Sequence, residues 1–228
     1  MRRAGSVLLC AALALAAGCE AISFPPQRSA PAPSPAPPAP RPVDMAALGK
    51  AYASLNKAFQ DDYERALSER GARSVPVRRG EAFEALYAGL VRLGMIVESR
   101  DPDAGTLTVA APAPRPLDID EWNRAEAVDL PRLRGYLCPV LGDARCQAIR
   151  FEPDGLVIVI NAAVLAGAGG GAEISLTARM REIERSKSGI PRREYPPPAA
   201  VRMALEKIWG RFDEELVERQ KRRGRQGG

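Results

Sequence analysis

The chain has 228 residues and a formal net charge of +5 at pH 7, and it contains no histidine. This length suits one domain of ordinary size behind an N-terminal export segment. The lack of histidine removes the commonest general base, the commonest transition-metal ligand and the usual partner of a serine or cysteine nucleophile. The sequence therefore predicts a protein that is not an enzyme and that holds no metal or cofactor.

Residues 1–18 have the form of a bacterial export signal. The start, Met1-Arg2-Arg3, is basic, the run from Ala4 to Gly18 is mainly apolar, and small residues precede Cys19. The apolar run is shorter than the roughly 20 residues needed to cross a ~30 Å hydrocarbon core. The stretch Ala16-Ala17-Gly18-Cys19 resembles the lipobox of bacterial lipoproteins, which usually has leucine where this chain has Ala16.

The lipobox resemblance implies that residues 1–18 are cleaved and that Cys19 becomes an acylated first residue. In Gram-negative lipoproteins an aspartate after this cysteine commonly retains the protein in the inner membrane. Here Glu20 follows, which implies the periplasmic face of the outer membrane, with the inner membrane as the alternative. Three acyl chains exceed the two membrane signals that stable anchoring requires.

Residues 19–43 predict a spacer behind the lipidated cysteine. Nine of the eighteen residues from Pro25 to Pro42 are proline. Proline fixes φ and lacks the amide donor, so an extended polyproline II segment is expected instead of a helix or a strand.

Residues 44–71 predict an amphipathic helix with Asp44 as N-cap and Gly71 as a left-handed C-cap. Its apolar residues recur at spacings of three and four: Leu48, Tyr52, Leu55, Phe59, Tyr63, Ala66 and Leu67. This stripe can pack on the protein's own core, on a partner or on a second copy, and the sequence leaves the choice open.

Residues 72–218 predict an α+β domain, a two-layer antiparallel sheet with helices on one face. The expected elements are a strand at 74–77, a helix at 81–93, a hairpin of 95–98 with 106–111, an irregular proline-rich segment at 112–135 with a short helix at 119–125, a second hairpin of 148–151 with 156–160, a small-residue loop at 161–172, a strand at 173–183 and a final helix from Pro198. The strand at 156–160 is apolar throughout, which predicts a central strand covered on both faces. The element order resembles the helix-grip domains of accessory lipoproteins of the outer-membrane β-barrel assembly machinery.

Cys138 and Cys146 remain after the signal peptide and the lipidated cysteine are set aside. They flank a seven-residue segment with proline, glycine and aspartate. In an oxidising compartment this pair predicts a structural disulfide that closes a small loop. A redox-active pair would more often be spaced Cys-x-x-Cys.

Residues 219–228 predict a basic, disordered tail. Five of its residues are cations: Arg219, Lys221, Arg222, Arg223 and Arg225. Such a tail can attract anionic lipids, a glycan or nucleic acid. Because the protein is expected to be exported, nucleic acid is not expected as its partner.

These features predict a tethered binding, assembly or scaffold module of the cell envelope with an envelope protein as partner. The first candidate contact surface joins exposed arginines of the alternating strand to the connection after it, where arginine and tyrosine suit an interface: Arg179, Arg181, Arg192, Arg193 and Tyr195. The alternative is a binder of peptidoglycan glycan or of a small ligand, with the glycine-rich loop or the concave sheet face as its pocket. For an enzyme the candidate acids would be Asp118, Asp120 and Glu121, with no nucleophile motif beside them.

Overall fold

The computed structural model describes residues 42–183 and 197–226, and the chain from Pro42 onward forms one compact unit. Its elements are α1 (Met45–Arg70), β1 (Ala72–Val75), α2 (Arg79–Arg92), β2 (Ile96–Asp101), β3 (Thr106–Pro112), α3 (Ile119–Leu141), α4 (Asp143–Gln147), β4 (Leu156–Ala166), a 3₁₀ turn (Ala168–Gly170), β5 (Ala172–Glu182) and α5 (Pro198–Gln226). The strands form one antiparallel sheet in the order β1-β5-β4-β3-β2. The predicted α+β class with an antiparallel sheet is confirmed.

The main core lies between the sheet and the helices. Successive strand side chains point to opposite faces, and in β5 the alternate residues Ala172, Ile174, Leu176, Ala178 and Met180 are all buried. Phe83, Leu86 and Leu90 of α2 pack against them, together with Leu205, Ile208 and Phe212 of α5. One face of the sheet is therefore the floor of the core.

Helix α1 packs on this domain, which settles the choice that its apolar stripe left open. Leu55 and Phe59 are buried against α3, and the Tyr63 hydroxyl donates to the Ala178 carbonyl of β5 at 2.8 Å. Asp44 caps the first turn through the amides of residues 46 and 47, as predicted. The left-handed C-cap at Gly71 is wrong because its φ is −79°. A Cβ there would lie 2.5 Å from the Leu67 carbonyl oxygen, so close backbone approach explains the glycine.

Helix α3 replaces the irregular segment predicted for 112–135. Its 23 residues include Pro131 and Pro139, although proline inside a helix normally disrupts it. Both prolines are exposed, so the carbonyls that lose an N–H partner lie on the solvent side. A capping box begins the helix: Asp118 and Glu121 each accept the other's backbone amide at 2.8 Å.

The predicted second hairpin is wrong. Strand β4 pairs with β3 and β5 and continues to Ala166, so the glycine loop covers only 167–171. Residues 148–151 form no strand, and Ile149 and Phe151 pack beside α1 and α3. The small residues from Asn161 to Ala166 hid the alternation of this strand. Strand β4 is central as predicted, yet no described helix covers its second face.

Helix α5 runs through most of the segment predicted to be a disordered tail. It continues to Gln226 because its basic end is held on α2. Arg219 donates to the Glu84 carbonyl at 2.9 Å, and Arg223 pairs with the Glu81 carboxylate at 2.7 Å. A helix end with such tertiary contacts is more stable than its own sequence alone would make it.

The two edge strands differ in how they end the sheet. β1 has four residues and covers only the start of β5. β2 carries a register shift between Val97 and Ser99 and the charged side chains Glu98, Arg100 and Asp101. Short length, bulges and charges are features that protect sheet edges from pairing with another chain.

Candidate functional site

The sheet face opposite the core is left open by the helices of residues 42–183 and 197–226. In β4 this open face carries Val157, Val159, Asn161, Ala163 and Leu165, which alternate with the buried residues. No helix of the described residues packs on it. Since an antiparallel sheet with one covered face normally presents polar side chains to water on the other, the composition of this face indicates what it can bind.

The middle of the open face is polar. The cross-strand register aligns Thr177 of β5, Asn161 of β4, Thr108 of β3 and Ser99 of β2. Thr108 donates its hydroxyl hydrogen to the side-chain oxygen of Asn161 at 3.0 Å. This row consists of small hydrogen-bonding groups and carries no charge.

The end of the open face nearest the start of β4 is apolar and cationic, and we call it the apolar–cationic patch. The register places Arg179 beside Val159, and Arg181 beside Val157. Ile96, 65% exposed, lies on the same face at the β2 edge. Valine, isoleucine and arginine side chains together give a surface that can bury apolar area and also pair with acidic groups.

The structure thus brings together two of the five predicted contact residues. Arg179 and Arg181 are both exposed on the open face, and Arg181 Nη2 lies 3.4 Å from Glu98 Oε1, an ion pair that crosses the face from β5 to β2. The other three, Arg192, Arg193 and Tyr195, lie outside the described residues, as does Cys19. Ile96, Val157 and Val159 were missed: the apolar run at 156–160 predicted a strand covered on both faces, and nothing in the sequence singled out Ile96.

The cysteine pair is where the sequence predicts it, in a different setting. Cys138 and Cys146 form a disulfide with their Cα atoms 5.0 Å apart. The bridge joins the last turn of α3 to the short helix α4 across Gly142, whose φ is +77°. It closes a corner between two helices, and Cys146 is buried.

Two surface cavities bear on the ligand-binding alternative. One of about 380 Å³ lies between β1 and the glycine loop and is lined by Ser74, Val75, Pro76 and residues 167–173, none of them aromatic. The other, about 230 Å³, includes Trp209. Its indole N–H donates to the Arg70 carbonyl at 2.7 Å, and Arg73 lies over its ring. The polar tip and one face of this ring are thus already engaged.

A third cavity is much smaller than these two. It measures about 20 Å³, close to the size of one water molecule. Leu117, Trp122, Ile158 and Ala178 are among its lining residues. It is a small packing gap on the core side of the sheet and is too small for an organic ligand.

Three carboxylates that the sequence did not single out are buried: Asp62, Asp129 and Glu215. Asp62 pairs with Arg132 of α3, and also with Arg65 at 3.2 Å. Arg92 lies 2.8 Å from Glu215, without hydrogen-bond alignment at that oxygen. Both acids therefore join helices to one another.

Asp129 of α3 accepts the backbone amide of Ala199 at 2.9 Å and so caps the start of α5 from another helix. Pro197 and Pro198 offer α5 no side-chain cap of its own. Burial raises the pKa of Asp129 to about 6, against the stabilising hydrogen bond from Ala199 and the nearby charge of Arg202. A spacing pattern cannot reveal such a contact, because its partner is 70 residues away.

The enzyme candidates Asp118, Asp120 and Glu121 lie in the first turn of α3. Asp118 and Glu121 form the capping box, and Lys207 of α5 pairs with Glu121. The amide of Glu121 hydrogen-bonds to Asp118 and lowers the pKa of that carboxyl. Asp118 and Glu121 thus begin a helix, and Glu121 holds it to α5.

Neither a metal-binding cluster nor a membrane-spanning helix is found among the described residues. Within residues 42–183 and 197–226, no three His, Cys, Asp or Glu side chains are grouped so as to hold a metal ion. None of the described helices has the length and apolar character needed to cross a membrane.

No protein-family model matches the chain, and no curated protein sequence shows significant similarity to it.

Proposed function

We propose that this chain is a membrane-anchored periplasmic lipoprotein that binds another envelope protein through the apolar–cationic patch. Its role is that of a non-catalytic assembly or scaffold module. Residues 16–19 support the lipid anchor on Cys19, with the outer membrane as its site. From the order of its elements, we also propose that the domain is of the helix-grip type found in accessory lipoproteins of barrel assembly.

The observation that carries this proposal is the contrast between the two faces of the sheet. One face is filled by the core, whereas the open face carries Ile96, Leu165 and the half-buried Val157 and Val159. Arginine beside such apolar residues is typical of interface centres. The patch therefore suits a partner with apolar side chains and at least one carboxylate.

The buried acids support a binding role over catalysis. A general acid or base needs to face a substrate, whereas Asp62, Asp129 and Glu215 each contact another helix of the same chain. The raised pKa of Asp129 has a structural cause, its burial between helices of the same chain.

In-cell photo-cross-linking of the full-length lipoprotein tests the proposal. A photoreactive residue at position 157 or 159 is expected to capture one envelope protein, whereas the same residue at exposed Asp61 of α1 captures none. Arg179→Glu combined with Arg181→Glu should reduce the captured band at least several-fold. The matched control is Lys50→Glu with Lys57→Glu, two exposed cations of α1.

Two further arms examine the anchor and the undescribed contact residues. Cys19→Ser should release the protein from the membrane fraction and reduce capture. Arg192→Glu with Arg193→Glu tests whether the connection after β5 belongs to the same surface. Capture that is equal for the patch variant and its control would overturn the proposed surface, and recovery of a glycan instead of a protein would favour the alternative function.

A further inference from the structure

The last two turns of α5 carry the densest positive charge in the described chain. Between residues 218 and 225 there are five cations and one carboxylate, Glu218. Arg219 and Arg223 are turned toward α2, where they contact the Glu84 carbonyl and the Glu81 carboxylate. These contacts fix the helix end to the domain.

Three further cations lie at the same end of α5. Lys221, Arg222 and Arg225 are exposed, and their spacing places them within about one helical turn of one another. We call this set the cationic end. Arg222 also lies 3.2 Å from Glu218, which in turn pairs with Arg92 at 3.0 Å. One carboxylate shared by two arginines leaves the cationic end with an excess of positive charge.

We propose that the cationic end binds the anionic lipid headgroups of the membrane that anchors the chain. This inference rests on the proposed lipidation of Cys19. Guanidinium groups form paired hydrogen bonds with phosphate oxygens, and each basic residue near an anionic bilayer raises its affinity about fivefold. A lipid surface suits three exposed cations without an apolar centre better than a protein interface does.

The tether makes a lipid surface the partner at highest effective concentration. Residues 25–42, if extended as their prolines predict, reach ~55 Å at about 3.1 Å per residue. Helix α5, with 29 residues, is ~43 Å long at about 1.5 Å per residue. The cationic end can therefore reach the bilayer, and weak headgroup contacts are strengthened by the anchor.

Vesicle co-sedimentation tests the inference without the anchor. The probe is the chain from residue 19 onward with Cys19→Ser, mixed with vesicles of neutral lipid or of neutral lipid containing one-third anionic phospholipid. Binding is expected only to the anionic vesicles and should weaken steeply with salt. The triple variant Lys221→Glu, Arg222→Glu and Arg225→Glu should lose about tenfold or more of its partition coefficient.

A variant of equal net charge is the control. Lys50→Glu, Lys57→Glu and Arg124→Glu reverse three exposed cations of α1 and α3, and this protein should bind nearly as well as the parent. Equal loss in both variants, or no binding of the parent to anionic vesicles, would overturn the inference. Cross-linking of residues 221–225 to an acidic protein, with no vesicle binding, would also overturn it. None of these outcomes bears on the open-face proposal, which is measured by partner capture.

Discussion

The carboxyl group of Asp129 caps the start of α5, because the residues around position 198 offer no cap of their own. Helix α5 begins with Pro197-Pro198, and neither proline has a side chain that can cap an amide. Asp129 supplies the missing acceptor from α3. It is surrounded by Asp62, which opposes its ionisation, and by Arg132 and Arg202, which favour it.

The pKa of Asp129 predicts a pH-dependent stability. The pKa is about 6 in the folded chain against an ordinary 3.8, because burial disfavours the charge. A raised pKa means that the folded state binds the proton more tightly than the unfolded chain does. This contribution is complete below about pH 4 and is lost as the pH rises through 6, by up to ~3 kcal/mol.

Asp129→Asn should remove this dependence, because asparagine keeps an acceptor oxygen for Ala199 but carries no charge. Urea unfolding between pH 4 and 7.5 is the measurement. The variant should be at least as stable as the parent at pH 7.5, with a flatter profile. Asp61→Asn, an exposed change on α1, is the control, and parallel profiles for parent and Asp129→Asn would contradict the assignment.

Two glycines with positive φ offer a matched comparison of strain and space. At Gly105 φ is +74° and a Cβ would meet the Val164 carbonyl oxygen at 2.2 Å, whereas at Gly169 φ is +68° with open space around it. Gly105→Ala should cost about 2 kcal/mol or more, since strain and a backbone clash add. Gly169→Ala should cost about 1 kcal/mol from strain alone. Similar losses in chemical denaturation would show that packing at the β2–β3 turn adjusts freely.

At the scale of single elements, hydrophobic periodicity predicted the long regular ones. α1, α2, the β2–β3 hairpin, β5 and the start of α5 were all expected, because each has a strong 3.6- or 2-residue pattern. α3 was not expected beyond a short helix, since four prolines in 112–135 argue for irregular chain. Tertiary contacts stabilise helix α3: Trp122 and Leu137 are buried, and both internal prolines face water.

The end of β4 and the end of α5 show the same limit: both were expected to be irregular, and both are regular in the structure. Residues 161–166 resemble the glycine-rich loop that follows because three of the six are alanine. They form strand by pairing with β3 and β5. Residues 219–226 look like a disordered tail because they are charged, and contacts to α2 retain them as helix. The same limit applies to the apolar–cationic patch. Its arginines were predicted as contact residues, whereas its valines were expected to be covered on both faces of β4.

The disulfide belongs to the same scale because it joins two elements. Cys138→Ser with Cys146→Ser should lower the free energy of unfolding by up to ~3 kcal/mol in the chain-entropy model for so short a loop. Thermal unfolding with and without a thiol reductant is the measurement. The parent should lose stability in reductant and the double variant should not respond. A parent that is insensitive to reductant would show that the α3–α4 corner is held by packing alone.

At the scale of the whole molecule, the two proposed surfaces lie on different parts of the fold. The open face belongs to the sheet, and the cationic end belongs to the helix that packs against the other side of that sheet. A domain held to lipid at the end of α5 would still present its sheet to a partner. The two functions are therefore compatible in one chain and separable by substitution.

Under the proposed membrane anchor, the bulged, charged edge of β2 has a consequence for contacts between copies of the chain. Lipoproteins confined to a bilayer meet their own copies far more often than dissolved proteins do, and a bare strand edge would invite them to polymerise into a continuous ribbon. The register shift at Val97 and the charges of Glu98, Arg100 and Asp101 oppose pairing at this edge. A chain anchored as proposed would thus resist edge-to-edge pairing on this side, and the proposed partner would be recognised by side chains of the open face.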